Sequence, residues 1–264
     1  IFNRLNLILM RKIFFLFFPV LFLFYSSRAQ EIIRRDSEIE KMVSEVNADS
    51  LRSYIQTLVG FGTRSTLSST TDPSRGIGAA RRWVLEKFRQ FAAASHGRLT
   101  TELDQWTQKA DGKRVDKDAD MANPMAWLRG SDTSDHRIFI ISGHLDSRAT
   151  DIMNRTGAAP GANDDGSGAA AVIECARVLS THSFPATILF VTVSGEEQGL
   201  LGSEHLANRA KAAGWQIEAV LNNDIMGSNN SSGTNIIDNT RVRVFSEGLP
   251  AFELEKQAAR IRGL

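Results

Sequence analysis

A chain of 264 residues with a single cysteine, Cys175, cannot form an internal disulfide. Its stability must come from a packed core or from bound metal. Cys175 lies in an Ala/Val-rich stretch with no His or basic residue beside it, which reads as a small buried hydrophobe rather than a reactive thiol. The common catalytic signatures are missing too: G-x-S-x-G, H-E-x-x-H, the P-loop and G-x-G-x-x-G do not occur. There is no basic cluster, so the electrostatic footprint of a nucleic-acid binder is absent and that partner is excluded. No apolar run reaches the roughly 20 residues that a membrane-spanning helix needs.

The longest apolar run, Ile13 to Tyr25, follows Arg11 and Lys12 and precedes Ser26-Ser-Arg-Ala29. That order reads as a secretory signal with cleavage after Ala29, with an uncleaved N-terminal anchor as the competing reading, so residues 1–29 are expected to be upstream residues plus signal, and residues 30–264 the mature domain. Secretion or a periplasmic location follows, with no stable membrane association after cleavage. Cleavage would remove four basic residues and no acidic one, so the formal charge of +1 would become −3. With 42% hydrophobic and 23% charged residues, the chain as a whole has the composition of a globular protein.

Periodicity predicts helices around Leu51–Val59 and Ala79–Ala93, strands at Leu99–Trp106, Met125–Leu128 and Arg137–Ser142, and a solvated, charge-dense hairpin or loop over 109–120. Beyond that point helices and strands alternate: helix 167–179, strand Thr187–Val193, helix Leu200–Ala213 and strand Ile217–Asn223. A further strand at Arg241–Phe245 and a helix from Glu253 complete the pattern. Ile138-Phe-Ile-Ile141 is apolar on both faces, as a strand covered on both sides must be. The chain therefore reads as α/β, with a mostly parallel central sheet flanked by helices.

Four strand ends carry the chemistry: Gly143-His-Leu-Asp-Ser147, Pro160-Gly-Ala-Asn-Asp-Asp-Gly-Ser-Gly168, Ser194-Gly-Glu-Glu-Gln-Gly199 and Asn222-Asn-Asp-Ile-Met-Gly227. His144 alone would pass for a packed side chain, but Asp146 two positions on could orient a metal-bound imidazole. Asp164 and Asp165 precede a helix. One of them suits an N-cap, a role left open for Asp165, and Asp164 is assigned to metal. The adjacent carboxylates Glu196 and Glu197 are costly at a buried strand end without a cation nearby. One can ligate while the other serves as general base. Asp224 repeats the pattern. His182 and His205 read as ordinary surface residues.

These motifs, in this order, resemble the co-catalytic zinc aminopeptidases, a clan that includes secreted bacterial leucyl-type aminopeptidases, glutamate carboxypeptidase, glutaminyl cyclases and transferrin receptor ectodomains. The likeness spans about residues 48 to 264 and includes Phe61-Gly-Thr-Arg64. It implies a zinc-exopeptidase fold with two zinc ions: His144 and Asp224 on one, Asp164 bridging, Glu197 on the other. It also implies Glu196 as the general base, Asp146 as the partner of His144, and peptides as substrates. The family's second zinc takes a further His well downstream of Asp224, and no His follows His205 here. The resemblance therefore implies a chain lacking the last strand and helix, with an incomplete second site and poor activity. A carboxypeptidase or cyclase on the same scaffold, and a silent binding ectodomain, are the alternatives. The silent form is disfavoured because every metal position that can be checked is a competent ligand.

Overall fold

The computed structural model describes residues 36–229 and Ile237. Two compact units divide the chain, residues 1–40 with 245–264, and residues 41–244. Of the first, residues 36–40 are described. Asp36 opens helix α1 (Ser37–Ser44), its carboxylate accepting the N–H groups of Glu38 and Ile39. The expected signal, the strand at 241–245 and the helix from Glu253 lie outside the described residues. Everything below concerns the second unit.

After α1 come α2 (Ala48–Gly60), α3 (Gly76–Ala92), β1 (Leu99–Gln108), β2 (Ala119–Leu128) and β3 (Arg137–His144). Then follow α4 (Gly166–Leu179), β4 (Thr187–Val193), α5 (Leu201–Ala213) and β5 (Gln216–Asn222). One five-stranded sheet has the order β1-β2-β4-β3-β5. The strands β4, β3 and β5 are parallel. The sheet as a whole is mixed, because β1 and β2 form a hairpin and β2 joins β4 antiparallel. The expected parallel sheet is thus its half from β4 to β5. The other half escaped that reading because a hairpin needs no crossover helix to betray its direction.

From β3 the chain steps sideways to β4 through α4, then returns across β3 to β5 through α5. Right-handed crossovers in opposite directions put the two helices on opposite faces. The core divides accordingly. On one face Phe88, Ile173 and Phe190 pack with α2, α3 and α4; on the other Met125, Ile140, Leu189 and Val191 pack with Leu206 of α5. Strands buried on both faces explain the unbroken apolar run at 138–141.

The connections leaving the adjacent strands β3 and β4 cross opposite faces of the sheet, and in such sheets the crevice beyond the carboxyl ends of the strands holds the ligands. Two glycines let α4 reach that edge closely. A Cβ at Gly143 would stand 2.8 Å from the backbone of Gly168, and one at Gly168 would stand 2.3 Å from the Asn223 carbonyl. The ends of β3, α4 and β5 can meet only because those positions lack side chains.

Candidate metal centre

β3 ends at His144, whose N–H donates to Asp165 Oδ2 at 2.9 Å. The ring is almost fully buried. Its Nδ1 lies 3.0 Å from the main-chain carbonyl of Asp146, which can only accept, so Nδ1 carries a proton. Nε2 then faces Asp164 Oδ1 at 3.0 Å and Asp224 Oδ1 at 4.0 Å. A neutral imidazole offers a lone pair there, and so do both carboxylates. Acceptors converging on one point repel unless a proton or a cation lies between them. Burial works against charge on His144, yet Asp146, Asp165 and Glu196 raise its pKa to about 10. The donor set, one imidazole nitrogen and hard carboxylate oxygens, fits zinc.

His144, Asp165 and Asp224 each offer a ligand atom, all within 4.8 Å of one another. Asp165 is engaged elsewhere. Oδ1 accepts the N–H of Gly168 at 2.8 Å, capping α4, and that of Ile225 at 3.3 Å, while Oδ2 accepts His144 N–H. Asp164, joined to it through a cis peptide, keeps a half-exposed carboxylate turned toward Nε2. The cap and the position beside His144 thus fall to different aspartates.

Asp146 does something its spacing does not suggest. Its carboxylate stands 3.7 Å from His144 Nδ1, an ion-pair partner, and the ring's hydrogen bond goes to the Asp146 main-chain carbonyl instead. The carboxylate is fully buried and accepts from Gly195 N at 2.9 Å, Glu196 N at 3.1 Å, Glu197 N at 3.1 Å and the Thr66 hydroxyl at 2.9 Å. Burial would raise its pKa, but His144, Thr66 and the Glu197 N–H hold it below the ordinary value. This anchor fixes the turn after β4 that carries both glutamates. Gly195, at φ +79°, starts that turn in a conformation few other residues accept.

Burial, then the neighbouring acids Asp164, Asp146 and Glu196, push Glu197 up to about 7. Its carboxylate lies 3.7 Å from Arg148 Nη1, and its carbonyl accepts Arg114 Nη1 at 2.7 Å. Glu196 is also raised, by burial first and by Asp146, Asp224 and Asp164 against the opposing His144. Asp224 follows β5, which Asn223 pins to β3 through two hydrogen bonds to the Ser142 carbonyl. All six residues singled out in the sequence therefore stand at or beside this strand edge.

Asp165, pushed by burial to about 7 from 3.8, and Glu197, at about 7 from 4.5, hold protons more tightly when folded. The stability linked to them is present at low pH and is lost as pH rises through about 7. Asp146, with its lowered pKa, stays ionised across that window. Chelator-treated protein is therefore expected to melt at lower temperature at about pH 8 than at about pH 5, with the gain from added zinc growing over the same range. Scanning fluorimetry checks this, and a chelated protein that melts higher at the alkaline end refutes it.

The residue that sequence reasoning left without a role is Arg64. Its guanidinium is fully buried and donates to four main-chain carbonyls: Leu58 at 3.1 Å, Leu145 at 2.7 Å, Pro160 at 2.7 Å and Gly161 at 2.8 Å. It thereby ties the end of α2 to the loop after β3 and to the loop leading to Asp164. Burial lowers its pKa to about 10, although Asp146, Asp165 and Asp164 support the charge. Arg64→Met is expected to cost about 3–5 kcal/mol, since four buried carbonyls lose their donors. Zinc affinity should fall about 10- to 100-fold. Denaturant midpoints and zinc titration measure both, and wild-type zinc affinity in this variant would remove Arg64 from the site.

Solved structures share this architecture. LapA aminopeptidase of Legionella pneumophila superimposes with a TM-score of 0.59 at 22% identity, over 76% of this chain and 49% of that one. A glutaminyl cyclase of Porphyromonas gingivalis gives 0.56 at 25% identity, over 70% and 63%. The fold is that of the zinc exopeptidases. At the level of sequence, residues 123–248 match the model of "Peptidase family M28". A "Probable zinc metalloprotease" of Pyricularia oryzae is 44% identical over 224 residues, which are 84% of this chain and 44% of that protein. Residues 123–248 therefore form a peptidase family M28 domain. It spans about half the length of the curated relatives it matches.

Proposed function

We propose that this domain is the catalytic part of an exported zinc aminopeptidase that removes N-terminal residues from peptides. The observation that carries the reading is the convergence of Asp164 and Asp224 on His144 Nε2 at the carboxyl edge of the sheet, with Glu196 and Glu197 held on the next turn. His144 and Asp224 would hold one zinc ion, Glu197 a second, and Asp164 both. Zinc bound there supplies a Lewis acid for the scissile carbonyl and lowers the pKa of water toward about 7.

The chain's own residues do the rest. The Asp146 carbonyl keeps the proton of His144 on Nδ1, leaving Nε2 free to ligate. Asp146, through its carboxylate, holds the Gly195–Glu197 backbone and so sets where Glu196 stands. Glu196, its pKa raised by burial, takes a proton from the attacking water and returns it to the leaving amine nitrogen. Export rests on the basic pair Arg11 and Lys12, the apolar run and the small residues to Ala29. An N-terminus at Gln30 in the secreted protein would settle that part.

The test is release from a panel of aminoacyl-anilides, with and without chelator, beside zinc analysis. Chelator-sensitive release supports the aminopeptidase. The likeness to the P. gingivalis glutaminyl cyclase gives a second reading a place. Zinc binding with cyclisation of N-terminal glutamine, and no release from any anilide, would replace the first reading with the second.

A further inference from the structure

The charge-dense run at 109–120 takes no part in the proposed chemistry, yet it forms a closed turn at the tip of the β1–β2 hairpin. Asp111 Oδ1 accepts the N–H groups of Lys113, Arg114 and Val115, each at 2.8 Å. The Val115 carbonyl accepts those of Asp111 and Gly112 at 2.9 and 3.1 Å. Val115 is buried between exposed neighbours, and its burial seats an otherwise charged turn on the fold.

From that seat two side chains reach the loops of the metal centre. Arg114 Nη1 donates to the Glu197 carbonyl at 2.7 Å, and Arg155 Nη2 donates to the Asp116 carboxylate at 2.6 Å. Arg155 belongs to the loop 148–160, which runs from Asp146 toward Asp164. That loop is tied in turn to the glutamates: the buried Gln198 donates through Nε2 to the Ile152 carbonyl at 3.3 Å. Tip to turn, turn to loop and loop to tip close a triangle. Any one such contact near the surface contributes little, but a loop held at two points has few courses left to it. Glu197 is the best fixed of all, because both its main-chain groups are engaged by distant side chains, its N–H by Asp146 and its carbonyl by Arg114. A second arginine, Arg148, differs in kind: it stands 3.7 Å from the Glu197 carboxylate, where a metal ion would compete with it. We propose that the hairpin tip is a clamp on the metal centre, in which Arg114 is the positioning residue that aims Glu197. The inference rests on the assignment of Glu197 to zinc.

Charge gives the test its sign. If charge alone mattered, losing a cation near a cation site would strengthen zinc binding, whereas a positioning role requires the opposite. In the whole chain, Arg114→Gln is expected to lower zinc affinity about tenfold by calorimetric titration, the scale on which orienting partners of metal ligands act. Arg114→Lys, which keeps a donor, should stay within about threefold of the parent on the same scale. Arg148→Gln is the charge control and should raise affinity about threefold. With Glu197→Gln already present, Arg114→Gln should add less than about twofold, because its effect passes through that carboxylate. Hydrogen exchange of the metal-free protein reads the clamp without zinc: amides of residues 195–199 should exchange at least about fivefold faster in Arg114→Gln. The melting temperature of that metal-free variant should stay within about 3 °C of the parent, as for one exposed hydrogen bond. Zinc affinity unchanged or raised in Arg114→Gln overturns the proposal, and so does an equal loss with and without the Glu197 carboxylate. A parent that binds no zinc would fail the peptidase reading, and the exchange rates alone would then decide the clamp.

Discussion

Glu196→Gln is expected to lower peptidase kcat by about 10³-fold while leaving the zinc content and the melting temperature close to those of the parent. The substitution keeps the side chain's size and its main-chain N–H, which donates to Asp146. The turn therefore stays in place, and the ligands assigned to zinc are untouched. What disappears is an acceptor for the proton of water, a function the amide cannot supply at any accessible pH. General acid–base groups contribute about 10²- to 10⁴-fold, and one that serves both the attacking water and the departing amine belongs in the upper part of that range. Burial and the surrounding acids raise its pKa, so the parent should also lose activity on its acid side earlier than an ordinary glutamate would dictate. Turnover within a few-fold of the parent, at equal zinc content, would move the base elsewhere.

Asp146→Ala should be worse for the molecule, though the residue touches no substrate. Three consecutive N–H groups and the Thr66 hydroxyl lose their acceptor in a fully buried place, and the His144 ring loses the carboxylate at 3.7 Å. Removing one partner from such a set typically costs about 3–5 kcal/mol. In a chain of this size that is a fall of roughly 10 °C in melting temperature. Zinc affinity should collapse with it, because the path of residues 195–197 is what presents Glu197. Asp146→Asn, which keeps one acceptor oxygen, is expected to fall between the parent and the alanine variant in both readouts. Denaturant titration together with zinc binding checks the ranking. An alanine variant as stable as the parent would mean that the turn holds its shape by other contacts.

The contrast between these residues shows what the sequence could reveal. The helices and the strands at 137–144, 187–193 and 216–222 were legible because apolar periodicity and turn residues record burial directly. The ligands were legible because carboxylates and a histidine at the ends of apolar runs need a cation to justify them. Arg64 and Thr66 were not. Their stretch is rich in Ser and Thr and has no apolar periodicity, yet residues 63–68 are all buried, because a guanidinium that satisfies distant carbonyls leaves no periodic trace. Val115 is similar: it lies in the charge-dense connection of the hairpin and is 1% exposed. His182 and His205, taken for ordinary surface residues, have partners across the fold. His182 lies 2.9 Å from the Glu45 carboxylate, and His205 stacks on Trp106 beside Asp104. Pairings at such separations belong to tertiary structure alone.

The bonds made by Arg64 and by the Asp146 carboxylate share a property with a wider consequence. Of the polar contacts these two groups make, seven end on main-chain atoms: four carbonyls for the arginine and three amides for the aspartate. A loop gripped by its backbone keeps its course whatever side chains it carries. Residues around the crevice can thus be exchanged, and new chemistry tried, without redesigning the frame that aims them. Scaffolds built this way can diverge in substrate while conserving shape, as hydrolases and cyclases on this one architecture do.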